Sequence, residues 1–143
     1  MIVKNQLTVE FGIVKDYPST VIEYEGDYET GVKITIDAAR GSASNIRINN
    51  VTRGEYIIID DTKLAAVIDS GLQKYDVIEI DTTRGNKSAR LIRDGVSKSV
   101  LSAIDISSKW IQIQKGSNSI TATATGLENL IISISYTTRV LGV

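Results

Sequence analysis

Residues 116–140 read GSNSITATATGLENLIISISYTTRV, and this stretch decides the fold. In its first half every second residue from Ile120 to Ala124 is apolar, and in its second half every second residue from Ile132 to Tyr136 is apolar. Successive side chains of a β-strand point to opposite faces, so a period of two predicts two half-buried strands. Gly126 lies between the two runs, where a turn needs a permissive backbone.

The same alternation recurs earlier, in residues 32–37 (VKITID) and 46–49 (IRIN). Glycine-containing turn signals separate the apolar runs, and roughly ten to eleven strands fit between them. Frequent short antiparallel strands of this kind predict an all-β fold, a sandwich or barrel rather than βαβ units. We find no repeat, low-complexity tract or shift in composition, so we expect one domain over residues 1–143.

Three segments leave alternatives open. Residues 63–74 fit either a helical turn or a strand, and residues 97–104 fit either a short strand or a helical turn. Within residues 1–19, the run at 7–11 (LTVEF) fits either an edge strand or the end of a linker.

Composition excludes several classes of function. The chain has no cysteine and no histidine, which removes disulfides, the usual structural zinc sites and the commonest general base. Its net charge is −1 and its Lys and Arg residues are scattered, which argues against a nucleic-acid partner. No apolar run approaches the roughly 20 residues that a membrane-spanning helix needs. We therefore expect no membrane insertion, no cofactor and no metal.

Acidic pairs are the candidates for catalysis. Asp60 and Asp61 follow an apolar run, and Glu79 and Asp81 share one face of a later strand. Paired carboxylates can hydrolyse glycosides, and carboxylates at 60–62 or 25–27 are also candidate calcium ligands. Solvated or turn-capping acids are the plainer interpretation, because no partner motif accompanies them. The sequence therefore predicts that the protein is not an enzyme, with a glycan hydrolase as the weakest hypothesis.

Trp110 is the candidate for stacking on a sugar ring. Strict strand alternation places it on the same side as Gln112 and Gln114, opposite Ile111 and Ile113, which predicts partial exposure. The alternative is that Trp110 packs at a sheet edge or under a loop.

Four arginines have an acid within a few residues: Arg40, Arg53, Arg84 and Arg93. They are candidates for salt links between copies in an assembly. The other interpretation is that they are solvated surface charges, and exposed ion pairs of that kind contribute little to stability.

An ordered set of short motifs runs through the second half of the chain. These are an Ile-Asp-Thr strand end (residues 80–82), a hairpin around Gly85, an Asp-Gly-Val turn (94–96), a segment with Ser108, Trp110, Ile113, Gly116, Asn118 and Ile120, and an ending with Ile134, Tyr136, Arg139, Gly142 and Val143. This order resembles the C-terminal domain of siphophage distal tail proteins, the phage tail component family. The resemblance covers about residues 76–143, and more loosely the chain from about residue 21. One departure is Lys115, where the family often has a proline before the glycine.

The resemblance implies a galectin-like or jelly-roll sandwich. It gives the motif residues structural roles as turn glycines, as side chains that bond nearby backbone groups, or as filling between the sheets. These residues are Asp81, Thr82, Gly85, Gly95, Trp110, Gly116, Asn118 and Tyr136.

The resemblance also implies a function. It predicts a structural component of a phage or prophage tail tip or baseplate, which acts as a protein-interaction hub on the distal tail ring. The alternative is a carbohydrate-binding module for adhesion to the host cell wall. Expected partners are other tail and baseplate proteins, with host glycan as the second candidate, and the expected location is the virion tail after synthesis in the bacterial cytoplasm. The full-length protein is expected to be hexameric, and this chain, as an excised C-terminal domain or a naturally short protein, to be a monomer or weak oligomer.

Overall fold

The computed structural model describes the backbone of residues 2–11 and the whole of residues 19–140. These residues form twelve strands, one α-helix and two 3-10 helices. The strands are β1 (Ile2–Phe11), β2 (Ser19–Tyr24), β3 (Thr30–Gly31), β4 (Lys33–Asp37), β5 (Ser44–Asn50), β6 (Glu55–Ile58), β7 (Val77–Asp81), β8 (Ser88–Arg93), β9 (Val96–Ser99), β10 (Gln112–Ile113), β11 (Gly116–Thr125) and β12 (Ile131–Val140). The α-helix is α1 (Asp61–Ile68), and the 3-10 helices are Leu101–Ala103 and Leu127–Asn129. Within the described ranges no helix is long and apolar enough to cross a membrane.

The strands form two antiparallel sheets and a small ribbon. Sheet A has the order β1-β12-β4-β7-β8-β9, sheet B has the order β2-β11-β5-β6, and the ribbon pairs β10 with β3. Early strands pair with late ones, β1 with β12 and β2 with β11. The predicted all-β antiparallel sandwich is confirmed, and a jelly-roll arrangement fits it broadly.

The hydrophobic core lies between the inner faces of sheets A and B. Sheet A contributes isoleucines that are at most 1 % exposed, namely Ile34, Ile36, Ile78, Ile80, Ile132 and Ile134. Sheet B contributes Ile22, Ile46, Ile48, Ile57, Ile120 and Ala122. Burying each isoleucine contributes about 1.5–3 kcal/mol. A slip of one residue would turn a whole set of these side chains outward, so their alternation specifies the register.

Helix α1 crosses from sheet B towards sheet A, and its ends are capped. The Asp60 carboxylate accepts a hydrogen bond from the Lys63 N–H at 3.0 Å, which satisfies one of the free donors of the first turn. At the other end Asp69 adopts φ 63°, and its N–H bonds back into the helix. Leu64 and Ile68 are the buried residues of the helix, so it packs through one stripe.

The outer edge of β6 is covered by the chain that follows the first 3-10 helix. The Asp105 N–H donates to the Ile58 carbonyl at 2.8 Å, and the Lys109 N–H donates to the Tyr56 carbonyl at 2.7 Å. Sheet B is therefore closed at this edge, since the backbone groups that β6 would otherwise expose are paired.

The structure decides between the alternatives that the sequence left open. Residues 61–68 are helical, so the first half of the 63–74 segment is helix and not strand. The 97–104 segment contains both elements, because β9 ends at Ser99 and the 3-10 helix Leu101–Ala103 follows. Residues 7–11 belong to β1, which pairs with β12 at one edge of sheet A.

Trp110 is half-buried, in agreement with the predicted partial exposure, but Gln112 on the same predicted side is buried. Residues 111–113 are all buried, and Gln112 is only 4 % exposed. The reason is that β10 is two residues long and lies between parts of both sheets. The side-chain Nε2 of Gln112 donates to the Thr82 carbonyl after β7 (2.9 Å), and the backbone carbonyl of Gln112 accepts from the Asn50 side chain of β5 (2.8 Å). The buried side chain is tolerated here because its N–H groups are paired.

Candidate functional site at one end of the sandwich

One end of the sandwich gathers loops from both sheets. These are residues 25–29 before β3, the turn 51–54 between β5 and β6, the loop 82–87 between β7 and β8, and residues 110–116 around β10. Four side chains from these loops and the neighbouring strand ends meet there, Glu29, Arg53, Glu55 and Arg84, together with the backbone N–H of Gln112. We call this group the polar end.

A chain of ion pairs links three of the loops. The Arg84 guanidinium contacts Glu29 at 2.5 Å, Glu29 contacts Arg53 at 2.9 Å, and Arg53 contacts Glu55 at 2.9 Å. Arg84 is the outermost member, with 70 % of its side chain exposed, whereas Arg53 and Glu55 are less than one-fifth exposed. The polar end therefore has a fixed inner pair and an accessible outer cation.

The inner pair is held by further hydrogen bonds. Arg53 Nη1 donates to Gln114 Oε1 at 3.1 Å, and the Gln112 N–H donates to Glu55 Oε1 at 3.0 Å. The hydrogen bond to Glu55 raises the pKa of Arg53, and the nearby charge of Glu29 acts in the same direction against the opposing effect of burial. Arg53 is therefore a permanent cation that orders the two acids.

A shallow groove of about 200 Å³ opens beside the polar end. Its lining residues are Glu29, Thr30, Gly31, Thr83, Arg84, Gln112 and Arg139. Gly31 is required by close approach, because a Cβ there would lie 2.6 Å from backbone atoms of Thr83. Arg139 Nε donates to Thr30 Oγ1 at 2.9 Å and forms part of the wall. The groove presents hydrogen-bond donors, hydrogen-bond acceptors and charged groups of both signs, which suits contact with another polar surface.

Several residues of the predicted motif form buried hydrogen bonds beneath the polar end. Thr82 is fully buried, and its Oγ1 accepts from the Val32 N–H at 2.8 Å and donates to the Ile111 carbonyl at 2.6 Å. Asn118, also fully buried, bonds both the N–H and the carbonyl of Gln114, at 3.0 and 2.8 Å. These bonds join β3, β10 and β11 into one unit.

Turn residues of the motif shape the loops around these hydrogen bonds. Asp81 Oδ1 accepts from the Thr83 N–H at 2.9 Å. Gly85 and Gly116 adopt φ of 79° and 97°, in the region that favours glycine. Neither glycine has an atom within 4 Å of an added Cβ, so backbone conformation, not space, requires glycine at both positions.

Gly95 lies away from the polar end, whereas Tyr136 lines a neighbouring pocket with Thr30, Gly31 and Thr83. Gly95 forms the β8–β9 turn with Asp94, with φ of 76° and 50°, at the opposite end of β8 from the loop 82–87. Tyr136 is 6 % exposed and packs edge-on against Tyr24, with ring centroids 6.0 Å apart. The motif is therefore a set of packing and turn residues, most of which converge on the polar end.

The aromatic residues do not form one exposed platform within residues 19–140. Trp110 is half-buried and packs against the core, with Lys87 Nζ 5.7 Å from its ring centroid. The tyrosines are dispersed, with Tyr24 and Tyr136 buried, Tyr56 under the Arg47 guanidinium, and Tyr28 and Tyr75 exposed in different loops. Tyr17 lies outside the described residues.

The acids proposed for catalysis or calcium have local structural partners. Asp60 caps α1, and Asp61 accepts from the Asn45 N–H at 3.0 Å. Glu79 lies 3.8 Å from Lys33 on the outer face of sheet A. Among the described residues, no three acids are grouped so that they would hold a metal ion.

The arginines proposed for links between copies pair within the chain in three of four cases. Arg53 and Arg84 belong to the polar end, and Arg93 holds the buried Asp76 carboxylate through two bonds of 2.7 and 2.9 Å. The hydrogen bond to Asp76 raises the pKa of Arg93.

Comparison with known proteins identifies the family. Residues 25–139 match the model of the siphovirus-type tail component, C-terminal domain. This chain belongs to that family. A search of curated proteins found no match.

A solved structure shares the fold of this tail-component domain. It is the crystal structure of the SPP1 Dit (gp 19.1) protein, described as a paradigm of the hub adsorption apparatus in phages that infect Gram-positive bacteria. The TM-score is 0.63 at 11 % sequence identity, over 94 % of this chain and 48 % of that one. The domain therefore spans about half the length of that protein.

Sequence reasoning missed the assembly of the polar end. It named Arg53 and Arg84, but it did not place Glu29 or Glu55 beside them. Arg53 and Glu55 were accessible from sequence, because strand residues two apart share a face. Glu29 and Arg84 meet only because β3 and the loop 82–87 are brought together by the fold.

Proposed function

We propose that this domain is a structural, non-enzymatic component of the siphophage tail tip and acts by contact with other tail proteins. The match of residues 25–139 to the tail-component family carries the proposal. The hub described for the SPP1 protein of the same fold supports it. On this proposal the protein resides in the virion tail.

The polar end is the proposed contact surface. Its loops are braced by buried hydrogen bonds, so its charges are held in place before a partner arrives. Fixed charges of both signs give specificity and steer association, whereas ordinary surface charges are mobile and screened. Arg84 is the group that a partner would meet first, since it is the most exposed member.

Immunogold electron microscopy of virions tests the location. Antibody raised against this domain is expected to label the distal end of the tail. Gold on heads, along the tube, or nowhere on purified particles that contain the protein would contradict the proposal.

Charge reversal tests the surface. Virions carrying Arg84→Glu are expected to lose tail-tip partners or infectivity, because Glu29 would then face a like charge. Lys74→Glu is the matched control, since Lys74 is also exposed but lies in the turn before β7, at the other end of that strand. Equal effects of the two changes would contradict a specific role for the polar end.

Adhesion to host glycan remains the alternative, with Trp110 as its candidate residue. Purified domain is mixed with host cell walls and with a glycan array. Saturable binding that Trp110→Ala abolishes without unfolding would favour adhesion. Absence of binding by folded domain would leave the protein-contact proposal in place. Size-exclusion chromatography with light scattering tests the further proposal that the isolated chain is a monomer or weak oligomer.

A further inference from the structure

Strand β9 is the last strand of sheet A. It pairs with β8 on one side, and within the described residues no strand pairs with its other side. All four of its residues are exposed. It differs from β6, whose outer edge is covered by the chain near Asp105.

The direction of each backbone group of β9 follows from the turn before it. Asp94 and Gly95 form a two-residue hairpin turn, so Arg93 and Val96 are the first bonded pair. Bonded and non-bonded pairs alternate along an antiparallel ladder. The Val100 N–H donates to the Ala89 carbonyl at 2.8 Å, which agrees with this alternation.

Ser97 and Ser99 consequently direct their N–H and carbonyl groups away from the sheet. Arg90 reaches over this edge, with Nε donating to Ser97 Oγ at 2.7 Å and Nη2 to the Ser97 carbonyl at 3.3 Å. In the part of the chain that the structure describes, the N–H groups of Ser97 and Ser99 donate no hydrogen bond. Such an edge is a template for another strand.

An apolar groove of about 330 Å³ runs beside this edge. Ile68 of α1 and Leu91 of β8 are almost fully buried in it, while Val96 is 58 % exposed. Lys98 and Arg93 also line it, and Lys98 lies opposite Leu91 in the register. The groove therefore lies under the inner face of the β8–β9 hairpin, where alternate side chains of an added strand would enter.

The charge at this edge selects the kind of strand. Arg90 forms no ion pair among the described residues and lies on the face opposite the groove, whereas on the groove side Arg93 is neutralised by Asp76 and Lys98 shares the lining with Asp94. A second copy of β9 is a poor occupant, because its own Arg90 and Lys98 would face these cations and like charges across a strand pair are destabilising.

We propose that β9 accepts an added strand from an extended segment of another tail protein, in which apolar residues alternate with acidic ones. The main chain of that segment would bond Ser97 and Ser99, its apolar side chains would fill the groove on the face of Leu91 and Lys98, and its acids, on the opposite face, would meet Arg90. This proposal deepens the proposed function and rests on it, since it names a second contact surface and the chemistry of its partner.

Amide NMR with a capped hexapeptide of alternating valine and glutamate tests the proposal. The peptide is expected to shift the Ser97 and Ser99 resonances saturably, and a valine–lysine peptide is expected to bind about tenfold more weakly. Ser97→Pro removes an outward N–H without breaking a bond to β8, and is expected to weaken binding by about tenfold, the upper range for one hydrogen bond. Ser97→Ala keeps the N–H and is the matched control.

Arg90→Glu keeps the backbone and changes the charge on the face that the acids would meet. It is expected to reverse the order of the two peptides. The edge proposal is overturned if neither peptide shifts Ser97 or Ser99, or if Ser97→Pro and Arg90→Glu both bind as the wild type does. Gold labelling at the tail tip together with these negative results would reject the edge site and leave the proposed function standing. Binding at Ser97 with gold absent from the tail would reject the proposed function instead.

Discussion

At the scale of single residues, Thr82 joins three segments with one hydroxyl group. Its Oγ1 contacts the Val32 N–H and the Ile111 carbonyl, and its own N–H donates to the Val32 carbonyl at 2.9 Å. Thr82→Val keeps the shape but leaves the Val32 N–H unpaired and the Ile111 carbonyl with only the 3.3 Å bond from Gln112 Nε2. We expect a loss of about 3 kcal/mol in the free energy of unfolding, measured by urea titration. Thr83→Val, at the half-exposed neighbour, should stay within about 0.5 kcal/mol.

The ionisation of Tyr136 makes the stability of the folded state depend on pH. Burial raises the pKa of Tyr136 above its ordinary value of 10.0, with the charge of Glu25 and the nearby Tyr24 acting in the same direction. The Tyr136 hydroxyl therefore ionises at a higher pH in the folded state than in the unfolded state. The contribution of Tyr136 to the free energy of unfolding is fully present below pH 10 and is lost as the pH rises through the pKa of the folded state. Unfolding measured at neutral pH and above pH 10 should show a steeper fall for the wild type than for Tyr136→Phe; equal slopes would contradict this.

At the scale of elements, the helix cap explains why residues 61–68 are not a strand. Asp60 has φ −82° and ψ 113° and accepts a hydrogen bond from the Lys63 N–H. Its negative charge also interacts favourably with the positive N-terminal end of the helix dipole. Asp60→Ala should lower the free energy of unfolding by about 1 kcal/mol. Asp60→Asn retains the cap and is the control. A loss from Asp60→Asn as large as that from Asp60→Ala would show that the hydrogen bond is not the cause.

Elements that bury one face were predictable, and elements without a repeating face were not. β4, β5, β11 and β12 follow period two, and their inward residues, such as Ile36 and Ile134, are buried as expected. Helix α1 is too short for a helical period of apolar residues to be recognised in its sequence, because Ala65, Ala66 and Val67 form a continuous apolar run. The burial of Gln112 in β10 could not be predicted, because a strand of two residues has no period. Gln112 is buried through partners that are distant along the chain, and a local sequence pattern does not contain them.

At the scale of the whole molecule, the same distinction separates the motif from the polar end. Asp81, Gly85 and Gly116 act on their own turns, so short sequence patterns revealed them. The Arg84–Glu29 contact joins distant parts of the chain, and no local pattern predicts it. The proposed contact surface therefore exists only once both sheets have formed.

The topology also predicts how the molecule folds. β1 pairs with β12 and β2 with β11, so strands distant along the chain must meet before the core can close. Chains dominated by such non-local pairing fold in roughly milliseconds to seconds. Trp110, the only tryptophan, packs against the core and reports closure of the sandwich. Stopped-flow fluorescence should show refolding in that range, with chevron slopes that sum to the equilibrium m value. Recovery of the Trp110 fluorescence within microseconds would contradict this prediction. It would mean that Trp110 reports local structure and not the closure of the two sheets.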